Sequence, residues 1–166
     1  MCQFASFLHN PLTGEVAVSD LSSHGNTEKE LKLDPKVWCE GHYLPGGEIR
    51  LRLPDDTRVE KLEYEERFRE RFPAFVSFFA WAMKQTGKDK LWPGDLNLNG
   101  LTSAKGLTLP QSIGGWLSLD GLTTAEGLTL PQSIGGGLYL DGLTSAEKEG
   151  VFAELEKRKE HDKTKT

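Results

Sequence analysis

Leucines set the pattern of the second half of the chain. Leu-x-Leu recurs at 96/98, 107/109, 117/119, 128/130 and 138/140, at alternating steps of 11 and 10 residues. Alternation at period two puts both leucines of a phrase on one side of an extended segment and the residue between them on the other. This rhythm lies inside a 21-residue repeat, in which Gly100, Gly121 and Gly142 fall in register. Leu-Pro-Gln-Ser-Ile-Gly-Gly occurs at 109–115 and again at 130–136. Two short strands per repeat, separated by Gly- and Pro-containing turns, predict a two-sided β-solenoid over residues 94–142. A single repeat cannot bury its own leucines, so stacked repeats share a core. Leu101, Leu122, Leu143, Ile113 and Ile134 are expected at its corners. The coils are leucine-rich-repeat-like, although Asp120 and Asp141 stand where Asn99 would have to recur.

Fewer than three full repeats fit, so both ends of the stack need covers. Thr144-Ser-Ala-Glu147 spells a capping box, which opens a C-terminal capping helix over 144–160. Its apolar stripe is Val151, Phe152 and Leu155, and 161–166 is expected to be a disordered tail. Residues 1–90 predict an α+β head domain. Strands are expected at 3–8 and 15–18, a short helix at 27–33, and a second hairpin from 38–44 and 48–53 across Pro45-Gly46-Gly47. Helices are expected at 59–71 and 73–85, with Gly87 as the stop. Phe68, Phe72, Phe75, Phe78, Phe79 and Met83 fall at helical spacings and predict core. The expected fold class is therefore an α+β N-terminal domain, then a short β-solenoid of 21-residue coils, then a capping helix.

Charge narrows the partners. Across 166 residues, 20 Lys and Arg face 25 Asp and Glu, a net charge of −5. Direct nucleic-acid binding needs positive surface and is not expected. Residues 94–147 hold Lys105 against Asp95, Asp120, Glu126, Asp141 and Glu147, a net of −4. An acidic surface of this kind suits a protein partner with a basic groove. Two cysteines make no disulfide framework and point to a reducing, cytoplasmic setting. No signal peptide opens the chain, and the apolar run 72–83 is too short to span a bilayer, so no membrane partner is expected. The sequence leaves the oligomeric state open.

Candidate chemistry starts at Cys2. Removal of Met1 leaves a nucleophile and an α-amino base on one residue. The opening resembles class II glutamine amidotransferases, with Gln3 in place of their usual Gly. His24 and Asp20 would complete a constellation, so an N-terminal cysteine hydrolase or transferase is the enzymatic alternative. The structural alternative is a small hydrophobe at a strand start. Cys39 and His42, with Cys2 and His24, make four nitrogen and sulfur ligands. Paired finger-like spacing is absent, and residues three apart on a strand face opposite ways. Metal and cofactor are therefore not expected. Walker, dinucleotide-binding and Gly-x-Ser-x-Gly motifs are likewise absent.

The repeats are near copies, which makes their differences informative. Positions 95/116/137 read Asp, Trp, Gly; 97/118/139 read Asn, Ser, Tyr; 99/120/141 read Asn, Asp, Asp. All three are expected to point outward from one column, while the other column shows Thr108 and Thr129. The expected binding face is Trp116, Ser118, Asp120, Tyr139, Asp141, Asn97 and Asn99. Large aromatics on a rigid array are common interface anchors.

Met1-Cys2-Gln3-Phe4, Asp20-Leu-Ser-Ser-His24 and the repeats from Leu96 together resemble short accessory proteins of phages and bacterial mobile elements. The resemblance implies a non-enzymatic protein that binds and blocks a host factor, including nucleic-acid-binding defence complexes of the kind anti-CRISPR proteins inhibit. A structural or assembly component of a phage particle, using the repeats as a spacer, is a further alternative.

Overall fold

The computed structural model describes residues 6–10, 13–19, 29–33, 39–43, 49–52 and 61–163. In the first half, β1 (Ser6–His9) and β2 (Val16–Ser19) form an antiparallel hairpin, and β3 (Cys39–Tyr43) and β4 (Ile49–Arg52) form another. They join as one four-stranded antiparallel sheet of order β2-β1-β3-β4. In that sheet Phe7 pairs with Val18, and Leu8 pairs with both Ala17 and Glu40. Residues 29–31 are helical. Helices α1 (Lys61–Arg71) and α2 (Phe75–Gln85) follow, with α2 packed against β2.

Phe75, Phe78, Phe79, Ala82 and Met83 recur at i, i+3, i+4, i+7 and i+8, and that stripe is the buried face of α2. The Phe7 ring sits 5.7–5.9 Å from Phe75, Phe78 and Phe79, edge to face. The helix stops where the Thr86 hydroxyl and N–H both donate to the Ala82 carbonyl, and Gly87 takes a φ of +68°.

Six two-residue strands follow: β5 (Leu91–Trp92), β6 (Leu96–Asn97), β7 (Ser112–Ile113), β8 (Leu117–Ser118), β9 (Ser133–Ile134) and β10 (Leu138–Tyr139). They pair in 21-residue register as two parallel sheets, β10-β8-β6 and β5-β7-β9. Gly121 and Gly142 keep that register: a Cβ at either would collide with the carbonyl oxygen of Asn99 or Asp120 in the layer before.

The expected fold class is corrected here. The chain is not an α+β head carrying a β-solenoid of leucine-rich-repeat-like coils. It is a mixed α/β protein with one small antiparallel sheet and two small parallel ones. The second Leu-x-Leu phrase of each repeat, at 107/109 and 128/130, forms no strand. Pro110 and Pro131 close those phrases without an N–H to donate. Leu107 and Leu128 instead donate back to Ala104 and Ala125 in turns. The second sheet is built from Ser-Ile, with Leu91–Trp92 as its first strand, one repeat earlier than the sequence periodicity suggested. The leucines are nonetheless enclosed: Leu96, Leu98, Leu117 and Leu119 are fully buried.

Helix α3 (Ser145–Lys163) ends the described chain. Its capping box forms as the sequence spells it. Thr144 Oγ1 accepts the Glu147 N–H at 3.4 Å, and Glu147 Oε2 accepts the Thr144 N–H at 3.1 Å. Glu147 Oε1 also accepts the Ala125 N–H, and Arg158 Nη1 donates to the Leu130 carbonyl at 2.6 Å. Val151 and Leu155 turn inward, whereas Phe152, expected in the apolar stripe, is exposed. One continuous core takes side chains from Phe7 through Trp92 and the repeats to Leu155.

Candidate binding face

The sheet β10-β8-β6 carries the three variable columns of the repeat. Its strands are too short to be held by ladder bonds alone, and side chains complete the stack. Asp95 Oδ1 accepts the Trp116 N–H at 2.9 Å. Asn99 Oδ1 accepts the Asp120 N–H and Asp120 Oδ1 accepts the Asp141 N–H, each at 2.9 Å. Each acid or amide thus reaches the backbone of the next layer, 21 residues on.

A polar knot fills the space between these rungs. The Ser118 hydroxyl donates to Asp120 Oδ2 at 2.8 Å and lies against Asn99 Oδ1. Asn99 Nδ2 donates to Asp120 Oδ2 at 3.3 Å, and Asn97 Oδ1 accepts the Asn99 N–H at 3.1 Å. Ser118 is therefore buried, at 4 % exposure, rather than facing solvent as expected. Asn97, Asn99 and Asp120 are half-buried and committed to the stack. Asp141, the last rung, is exposed and pairs with Lys148 Nζ at 3.4 Å.

Besides Asp141, the face leaves its aromatic residues to solvent. Tyr139 is 50 % exposed and Trp116 half-buried. Their ring centres lie 6.1 Å apart at 88°, a T-shaped pair worth about 0.5–1.5 kcal/mol beyond area burial. Gly137 makes room for it: a Cβ there would sit 3.2 Å from the Tyr139 ring. Gly137 was not among the expected site residues, yet the signal was present, because a glycine replaces Asp95 and Trp116 in the same repeat that gains the tyrosine. Thr108 and Thr129, expected in the other column, are exposed, on segments that form no strand.

Cys2, Asp20 and His24 lie outside the described residues. Cys39 and His42 stand three residues apart on β3. Among the described residues no cluster of three or more His, Cys, Asp or Glu could hold a metal ion, and no helix is long and apolar enough to cross a membrane. Comparison with family models, with curated proteins and with solved structures finds no match for the chain.

Proposed function

We propose that this is a non-enzymatic protein-binding protein whose anchors are Trp116 and Tyr139. The observation that carries the reading is the T-shaped aromatic pair, half open to water on the sheet whose layers Asp120 and Asp141 join. A rigid aromatic pair loses little conformational entropy on binding, which is why Tyr and Trp dominate interface hot spots. The net charge of −4 over residues 94–147 favours a partner with a basic groove and speeds encounter with it. The resemblance to phage accessory proteins supports a host factor in the cytoplasm, such as a nucleic-acid-binding defence complex, as that partner, and inhibition as the outcome.

Capture from a host lysate by wild-type protein, compared with Trp116→Ala/Tyr139→Ala, tests this. Each anchor contributes about 2 kcal/mol, so the double variant should bind at least about a hundredfold more weakly. Thr108→Ala/Thr129→Ala should bind as wild type. A partner held equally by both variants moves the binding surface elsewhere.

A further inference from the structure

Equivalent positions of the repeat are buried unequally. In the second sheet Trp92 and Ile113 are enclosed, at 0 % and 2 % exposure, while Ile134 is only partly covered. In the first sheet Leu96 and Leu117 are fully buried, while Leu138 is only partly covered. The difference is one neighbour: each enclosed residue has another layer stacked on it, and among the described residues β9 and β10 do not. Helix α3 closes the far corner, through Arg158 on the Leu130 carbonyl, and leaves Gly135, Gly136, Gly137 and Tyr139 exposed.

Backbone polarity at this edge is also open. In a parallel ladder, successive residues turn to opposite neighbours. Leu117 and Leu119 donate to the carbonyls of Gly137 and Tyr139, so Tyr139 faces β8 and Leu138 turns its N–H and C=O outward. Natural proteins guard such edges with charge, proline or bulges. Residues 132–140, Gln-Ser-Ile-Gly-Gly-Gly-Leu-Tyr-Leu, contain neither a charge nor a proline.

We propose that this edge is a self-association surface, where a second copy of the chain pairs antiparallel with β10 about a two-fold axis through Leu138. In antiparallel pairing a residue facing its own mate exchanges both N–H···O bonds, which satisfies the two outward groups of Leu138 at once. Charge selects this contact. Two copies of net charge −5 repel over most approaches, and the neutral edge lets them meet without opposing like charges. A two-fold contact uses the same edge of both copies, so each β10 is taken up by its mate and the assembly closes as a dimer. The dimer doubles the Trp116–Tyr139 surface on one face, but the inference stands apart from the partner-binding reading.

Light scattering on the purified chain, with amide hydrogen exchange at two concentrations, tests it. The mass should be twice 18.5 kDa in the micromolar range and fall on dilution. The Leu138 and Leu140 amides should be protected in the dimer and exchange quickly after dilution. Leu138→Pro removes the outward donor and should give monomer. Should that variant fail to fold, Tyr139→Lys puts a charge at a half-exposed position one residue from the axis, where the lysines of the two copies lie diagonally across it, and should give monomer at low salt and dimer at high salt. Trp116→Ala, one strand in from the edge, should remain dimeric whether or not it still binds a partner. A monomer mass at every concentration overturns the proposal, as does a dimer unchanged by both edge variants.

Discussion

His9 shows how one side chain ties stability to pH. It sits on β1 at 5 % exposure, with its ring 5.7 Å from Phe68 and 5.8 Å from Trp81. Burial first, and the Arg71 cation second, lower its pKa from the ordinary 6.5 to about 4. Arg71 is held nearby, 4.8 Å over the Trp81 ring. The unfolded chain therefore binds a proton below 6.5 that the folded one refuses until about 4. Stability is fully present above 6.5 and falls as pH drops through that window, by roughly 3 kcal/mol in all. Denaturant unfolding at pH 7 and pH 4.5 should show the loss, and His9→Phe should flatten it. An equal slope in the variant would assign the pH dependence to carboxylates instead.

At the scale of elements, the start of α3 is a local device with a separable contribution. The Glu147 carboxyl is held below its usual range by the Thr144 hydroxyl first, then by the N–H groups of Thr144 and Ala125. That contribution is present above the unfolded carboxylate range and disappears as pH falls through the lowered value. Thr144→Ala should cost about 1 kcal/mol and speed amide exchange in the first turn of α3, while leaving β6, β8 and β10 protected. Loss of protection across the sheet would mean the cap also holds the repeats together. The parallel strands behave oppositely. Two residues cannot hold a strand, so each depends on the layer beside it and on the Asn99–Asp120–Asp141 rungs.

For the whole molecule, the continuous core predicts cooperative unfolding. Phe79 of α2 and Leu117 of the repeats belong to one buried cluster. Phe79→Ala should destabilise the chain by about 3–5 kcal/mol. Amides of α2 and of β6 and β8 should lose protection together, and fluorescence and far-UV circular dichroism should follow one transition. Two resolved transitions would show that the repeats fold without α2.

Much of this was legible in the residues, because it depends on neighbours close in sequence. Turn chemistry marked both hairpins, helical spacing marked the phenylalanine face of α2, and Thr144-Ser-Ala-Glu147 named its own cap. Of the period-two leucines, both of the 96/98 and 117/119 phrases are buried as alternation in extended backbone requires, whereas Leu109, Leu128 and Leu138 are only partly covered. Which extended segments became strands was not legible. That depends on where donors find acceptors 21 residues away, and Pro110 and Pro131 directed the second sheet to Ser-Ile instead. The outward columns were visible as differences between near copies, but their roles were not. Only the stacked layers show that Asn99, Ser118 and Asp120 spend their hydrogen bonds on one another, leaving Trp116 and Tyr139 to face water. Only the stack, too, has a last layer, and its uncovered edge is a consequence of tertiary structure that identical repeats cannot announce.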